Sequence, residues 1–471
     1  MPIHVVKSGD NLWKLSQDYG ISVNRIVSAN VLEQPGKLVV GQALLIPDAQ
    51  PRYSVQPKDT LQEIAKKYGV TTQAIIQVNQ LSSPENIYAG QRLTLPLLYH
   101  QVGEHDTLTT IARRYNTTVA AITQANQLKN PNDLFVGQIL KIPEKQKPTI
   151  EVNSFITQFG QQGAKTLRDV AFDLTYITPF AYRMKPDGSI EQLDDLPIVQ
   201  SAARNHVLPM MAITNFSSTE TGTALASTIL GNPQLQETLL TNTLAIMKNK
   251  GYRGLNIDFE NVLPKDRENY NQFLQKAVNR LHPEGYFVSS SLAPKTSAAQ
   301  KGLLYEAHDY PVHGQILDFV VLMTYEWGYR LGPPQAISPL EQIKRVLEYA
   351  VTVIPRDKIL MGFQVYARDW LLPHEQGQQA ETFDMQEAIR RAIEFNVPTI
   401  QYDPIAQSPY YQYTDAKGRS HEVWFEDARS AQAKFDLVKN FNLRGISYWV
   451  LEYPFPQNWA LLRDNFTIIK R

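Results

Sequence analysis

The 471-residue chain has no cysteine. That excludes disulfides, thiol nucleophiles and cysteine-ligated zinc or iron–sulfur centres. An excess of either charge is also missing: 46 lysines and arginines offset 46 aspartates and glutamates. A nucleic-acid partner usually requires a clear basic excess, so none is expected, whereas a glycan fits. The nine histidines form no His-Glu-x-x-His pattern, and no glycine-rich loop ends in Lys-Ser or Lys-Thr. Neither a zinc-peptidase helix nor a phosphate cradle is therefore expected, and the expectation is no metal and no cofactor. There is no run of about 18 apolar residues to span a bilayer, so no membrane insertion is expected. The opening MPIHVVKSGDNLWKL lacks a basic start followed by an apolar core. No signal peptide is expected from it.

What the chain does have is an internal repeat. The motifs Ser8-Gly9-Asp10-Asn11-Leu12, Pro57-Lys58-Asp59-Thr60-Leu61 and Glu104-His105-Asp106-Thr107-Leu108 align, with Asp10, Asp59 and Asp106 separated by 49 and 47 positions. Asn30, Asn79 and Asn126 keep the same spacing, as do Gly41, Gly90 and Gly137, and Pro47, Pro96 and Pro143. Each repeat reads as a short strand, an Asp-containing turn, an amphipathic helix, a second helix ending near the Asn, and a closing strand. The unit is βααβ. Asp and Thr at the turn suit the exposed N–H groups of a helix start. The Asn residues suit turn stabilisation rather than ligand contact.

These motifs resemble the LysM family, with modules at residues 2–48, 51–97 and 98–144. The resemblance implies binding of N-acetylglucosamine-containing glycans (peptidoglycan, or chitin) in a shallow groove. That groove lies between the loop after the first strand and the loop before the last. The glycan-contact candidates it implies are Gly9, Asp10, Asn11 and Leu12, then Asp59, Thr60 and Leu61, then Asp106, Thr107 and Leu108. Helix capping and core packing are the competing roles for the Asp and Leu positions.

After a polar linker at Glu144–Pro148 the pattern changes. Eight apolar, strand-like segments alternate with helical stretches: Glu151–Phe155, Leu174–Phe180, Val207–Thr214, Gly254–Glu260, Phe287–Ala293, Phe319–Tyr325, Ile359–Val365 and Gly445–Leu451. That alternation predicts an α/β fold, a TIM (β/α)8 barrel, over residues 149–471. A small insertion is predicted between the last two strands, with antiparallel strands at Thr399–Asp403, Tyr410–Thr414 and His421–Phe425 and a turn at Asp415–Gly418. Phe425–Ser430 opens the last long helix, Ala431–Asn440. Asp427 reads as its N-terminal cap, and Glu426 and Arg429 as weaker groove candidates.

Chemistry in such barrels sits at the C-terminal strand ends. Strand four ends Arg253-Gly254-Leu255-Asn256-Ile257-Asp258-Phe259-Glu260. Alternation puts Asn256, Asp258 and Glu260 on one face. Apolar Leu255, Ile257 and Phe259 face the helices, so the polar set faces inward. Burying three such groups is costly without function or pairing.

This strand resembles the signature of glycoside hydrolase family 18, Asp-Gly-x-Asp-x-Asp-x-Glu. The match is at Gly254, Asp258 and Glu260; Arg253 and Asn256 depart from it, Asn256 standing where the family has Asp. Met323-Thr324-Tyr325-Glu326 is similar to the family's Met-x-Tyr-Asp on strand six. Trp449 matches the tryptophan that floors the sugar site. The resemblance implies Glu260 as general acid and base, Asp258 holding the substrate's 2-acetamido group, and Tyr325 bonding its carbonyl oxygen. It implies Asn256, Met323, Glu326 and Trp449 as substrate-binding residues, and retaining, substrate-assisted catalysis.

LysM repeats ahead of such a barrel are similar to the arrangement in spore cortex-lytic N-acetylglucosaminidases, which act on cortex peptidoglycan during germination. The expected protein is therefore a spore-associated peptidoglycan hydrolase. A chitinase and a non-catalytic glycan-binding protein are the alternatives.

Overall fold

The structure is a computed structural model. It describes all residues except 20, 48–51, 58, 69–71, 80, 82–86, 89, 96–97, 105, 115–116, 129, 131–133, 144–146 and 217–221. Lys58, Pro96, His105 and the start of the linker at 144–146 thus lie outside the described residues. The chain divides into two compact units, residues 1–4, 9–36 and 44–147 in one and residues 5–8, 37–43 and 148–471 in the other.

The three repeats each adopt the βααβ order. In the first, strands Ile3–Val5 and Ala43–Leu45 bracket helices Leu12–Tyr19 and Val23–Asn30. In the second, strands Arg52–Ser54 and Arg92–Thr94 pair antiparallel around helices Leu61–Tyr68 and Thr72–Asn79. In the third, strands Leu98–Gln101 and Ile139–Ile142 pair around helices Leu108–Arg114 and Val119–Ala125. The second and third repeats have separate cores. Val55, Leu61, Ile64, Ile75 and Leu93 form one cluster, and Val102, Leu108, Ile111, Ile122 and Leu140 form another.

Eight parallel strands form the barrel: Thr149–Ile156, Tyr176–Pro179, Leu208–Thr214, Gly254–Asp258, Phe287–Leu292, Phe319–Leu322, Ile359–Gln364 and Gly445–Trp449. The eighth pairs with the first, which closes the ring. Strand four lies between strands three and five, with Thr214 opposite Asp258 and Asn256 opposite Ser289. Both faces of the strands are buried, as a helix-clad parallel sheet requires. The helices start and stop where the sequence supplies the chemistry. Asn232 accepts hydrogen bonds from the N–H groups of Gln234 and Leu235 to open helix Pro233–Lys250, and Gly251, at φ 88°, ends it in a left-handed conformation that costs glycine little.

The insertion is larger than expected. Its antiparallel sheet has five strands in the order Glu381–Phe383, Ala367–Leu372, Ser420–Trp424, Ser408–Thr414 and Gln401–Asp403, with helix Met385–Glu394 beside it. The first two strands and that helix were not anticipated. Ala367–Leu372 follows barrel strand seven so closely that the two apolar runs merge in the sequence. The last long helix begins at Ala428, three residues earlier than expected. Asp427 caps it through the N–H groups of Arg429 and Ser430, and Ser430 answers with its own hydroxyl to complete a capping box. Glu426 is no groove residue: it is buried against Lys434 at 2.7 Å, with Gln364 also donating to it at 2.7 Å. Arg429 pairs with Asp427 and covers the Tyr402 ring.

Candidate functional site

Regular strand pairing in strand four ends at Asp258, but the inward and outward alternation continues through Phe259 and Glu260. Phe259 turns outward and stacks on Tyr270 and Phe273 of helix Arg267–Leu281, with both ring centroids 5.7 Å away. Its neighbours are thereby directed inward. Asp258 and Glu260 line a cleft of about 800 Å³ with Met323, Tyr325, Glu326 and Trp449. Six residues read from three strand ends thus meet around one cavity. Asn256 does not line it. Its amide donates to the Ser289 hydroxyl at 3.1 Å and accepts from the Ser291 hydroxyl at 3.2 Å, inside the barrel. The expectation of a substrate-binding role for Asn256 is therefore corrected: it supports the layer beneath Asp258, since its polar atoms are already paired.

The electrostatics of the pair follow from burial. Removal from water pushes the Asp258 carboxyl up to about 7, opposed by a hydrogen bond from Ser291. Burial pushes Glu260 up to about 8, and the neighbouring charges of Asp258 and Glu326 add to the rise. Asp258 Oδ1 is buried with no hydrogen-bond partner among the described residues. A buried acceptor of this kind awaits a donor. Burial and the three carboxylates hold the Tyr325 hydroxyl well above its ordinary range, so it remains a donor.

Trp449 lies among aromatic rings, 4.8 Å from Phe180 and 5.6 Å from Phe155 between centroids. These rings form an apolar wall of the same cleft. Glu326 sits at φ 70°, a strained conformation for a side chain with a Cβ. The insertion holds it there: Tyr366 donates to its carboxylate, and Arg368 donates at 2.8 Å. Among the described residues no group of three or more His, Asp or Glu side chains is placed to hold a metal ion.

Sequence reasoning missed Tyr366, Arg368, Asn215 and His308. Arg368 comes from the unanticipated first strand of the insertion, and Tyr366 from the link that leads into it. Asn215, at the end of strand three, bonds the main chain of Glu260, and His308 bonds that of Phe259. No motif marks either residue.

In the repeats, the structure assigns the motif residues distinct roles. Leu12, Leu61 and Leu108 are buried core residues, which corrects their expectation as glycan contacts. Asn11, Thr60 and Thr107 cap the first helices, accepting from the N–H groups of Lys14, Glu63 and Thr110. Asp10, Asp59 and Asp106 each bond the side chain six positions earlier, His4 at 2.8 Å, Tyr53 at 2.5 Å and His100 at 2.7 Å. Gly9 sits at φ 82° with open space around it. The Asn residues do more than steady a turn. Asn30 exchanges two hydrogen bonds with the main chain of Leu45, and Asn126 does the same with Lys141, so each fastens its second helix to its closing strand. Tyr88 and Phe135, both 71% exposed, occupy equivalent places two residues before Gly90 and Gly137. The first repeat has Val39 there, 7% exposed.

A closed parallel barrel with an acid pair and an aromatic wall at its C-terminal mouth is the frame of a glycoside hydrolase. The chain belongs to glycosyl hydrolases family 18, which it matches over residues 141–453. It also matches the LysM domain three times, at residues 4–47, 53–96 and 100–143. It is 42% identical over 471 residues to the cortical fragment-lytic enzyme of Bacillus anthracis, covering all of this chain and 99% of that one. The solved spore cortex-lytic enzyme SleL of Bacillus cereus is 37% identical with a TM-score of 0.78, covering 100% of this chain and 98% of that one. SleL of Bacillus megaterium gives 37% and 0.76, with coverage of 100% and 99%.

Proposed function

We propose that this glycoside hydrolase is a spore-associated N-acetylglucosaminidase that cuts cortex peptidoglycan during germination, with retention of configuration. The observation that carries the mechanism is the buried, unpartnered Oδ1 of Asp258 beside Glu260. An acetamide N–H of the substrate supplies the missing donor. The acetamide oxygen then attacks the anomeric carbon while Glu260 protonates the departing glycosidic oxygen. The ionised Asp258 stabilises the positive oxazolinium, and the Tyr325 hydroxyl donates to the acetamide oxygen. Glu260, now a carboxylate, takes a proton from the water that opens the ring. Glu326 is committed to Tyr366 and Arg368, which argues against its acting as a nucleophile. Trp449 floors the sugar and Met323 packs beside it.

The choice of cortex over chitin rests on the full-length likeness to enzymes whose names specify cortex. We assign the repeats to residues 2–48, 51–97 and 98–144 and the catalytic barrel to 149–471. The repeats hold N-acetylglucosamine-containing glycan at the turns around Gly9, Asp10 and Asn11, Asp59 and Thr60, and Asp106 and Thr107, with Tyr88 and Phe135 as stacking faces. No helix among the described residues is long and apolar enough to cross a membrane.

The test is digestion of purified spore cortex, with the products read by mass spectrometry. Fragments with a reducing N-acetylglucosamine end are expected. Turnover of chitin oligosaccharides with no cortex cleavage would transfer the reading to a chitinase.

A further inference from the structure

Glu260 lies just past the last paired residue of strand four, and the next residue, Asn261, turns to φ 53°. The strand ladder that fixes Asp258 therefore does not extend to the acid. Two side chains replace it. Asn215 Oδ1 accepts from the Glu260 N–H at 2.9 Å, and Asn215 Nδ2 donates to the Glu260 carbonyl at 2.7 Å. That reciprocal pair imitates a strand neighbour, with Asn215 one residue and Glu260 two residues beyond the Thr214–Asp258 register. Asn215 is 1% exposed, and its second amide hydrogen goes to the carbonyl of Gly222 at 2.9 Å.

The second clasp comes from behind. The Ala293 N–H donates to His308 Nδ1 at 2.8 Å, so the ring proton is on Nε2, which donates to the Phe259 carbonyl at 3.0 Å. Lys295 Nζ donates to the His308 carbonyl at 3.1 Å and tethers the segment that carries the ring. Both ring nitrogens are in use, and His308 ties the ends of strands four and five together.

We infer that Asn215 and His308 are positioning residues for the general acid, fixing the main chain of Glu260 and of the residue before it from two sides of the barrel. Neither lines the cleft. Their action is on the direction of the Glu260 carboxyl toward the glycosidic oxygen, where a displacement of about 1 Å can cost on the order of 10²-fold in rate. The inference rests on Glu260 being the acid.

The experiment compares two substrates on the full chain. Soluble cortex fragments have a sugar leaving group that must be protonated, whereas a nitrophenyl N-acetylglucosaminide has one that departs unaided. In Asn215→Ala, kcat on fragments is expected to fall about 10²-fold with KM little changed, while the aryl glycoside loses far less. His308→Ala is expected to show the same split. His308→Gln, whose amide can accept from Ala293 and donate to Phe259, is expected to recover most of the rate. Folding is followed by thermal melting in every variant. Equal losses on both substrates, or full fragment turnover by folded Asn215→Ala, would overturn the inference. Failure of the wild-type chain to cut either substrate would instead refute the proposed function, which keeps the two failures apart.

Discussion

Arg368 Nη2 donates to Glu326 Oε1 at 2.8 Å, and through this contact the insertion sets a guanidinium against a carboxylate that lines the cleft. Arg368 is 5% exposed and also donates to the Gly328 carbonyl. Glu326 in turn raises the pKa of Glu260, the group that must hold a proton. Replacing Arg368 by Met leaves the Glu326 charge without its counter-ion. The basic limb of the kcat/KM profile is then expected to move to higher pH, because a nearby negative charge disfavours ionisation of Glu260. Thermal stability is expected to fall as well, since the change leaves the half-buried Glu326 carboxylate without the charged donor that satisfies it. A basic limb that stays in place would show that Glu326 does not act on the acid.

Replacing Glu260 with Gln removes the transferable proton and keeps the shape. Turnover of cortex fragments is expected to fall at least about 10²–10⁴-fold, the range of general acid–base catalysis. The fold near neutrality and binding to insoluble peptidoglycan should be retained. Turnover at the wild-type rate would remove Glu260 from the mechanism.

The raised carboxylates set the pH behaviour. Glu260, near 8, works as an acid only below that pH, so kcat/KM is expected to decline as pH rises through about 8. Asp258 must be ionised, so activity is expected to decline as pH falls below about 7. The two carboxyls titrate as a coupled pair, and the resulting bell belongs to both. Stability has its own sign. A carboxyl raised in the folded state binds its proton more tightly there than in the unfolded chain. Its contribution to stability is therefore full below the unfolded value and lost as pH rises through about 8. Glu260→Gln is thus expected to melt higher than the wild-type chain at pH 8 to 9, with the gap closing toward pH 4. A gap independent of pH would contradict the burial of that charge.

Asp258→Asn removes the charge that stabilises the oxazolinium. The expected loss in kcat is on the order of 10²–10³-fold, as for other preorganised electrostatic groups, with a smaller change in binding. Substrate without its N-acetyl group should bind and turn over very slowly, and a thiazoline mimic of the intermediate should bind more tightly than substrate. A glycosyl ester trapped on a carboxylate, or products of inverted configuration, would disprove the scheme.

Tyr88→Ala with Phe135→Ala in the full chain is expected to weaken pelleting with insoluble peptidoglycan by about 10²-fold, because linked weak sites act together. Turnover of soluble fragments should not change. Unaltered pelleting would remove these two rings from the glycan surface.

Strand four was legible because its alternation is local: five residues announce which face each side chain takes. The repeats were legible because three copies in step expose their own grammar. The second wall of the cleft was not. Tyr366 and Arg368 reach Glu326 across about 40 residues of sequence, and nothing near either end signals the pairing. Asn215 was hidden for another reason. Its amide replaces main-chain partners, so it leaves no pattern of charge or periodicity. The Leu positions of the repeats were ambiguous because core packing and ligand contact both favour a large apolar side chain at a helix start, and only burial separates them.

The stack of Phe259 on Tyr270 and Phe273 has an evolutionary consequence. Among the described loops at the mouth, only the positions that clasp strand four, Asn215 and His308, are tied to the acid in this way. Helix Arg267–Leu281 is tied to it through these rings. A ring lost from its inner face would loosen the outward anchor between the two carboxylates, and selection on turnover would register a change in a layer remote from any sugar. The helix behind the acid thereby belongs to the catalytic apparatus without touching a sugar.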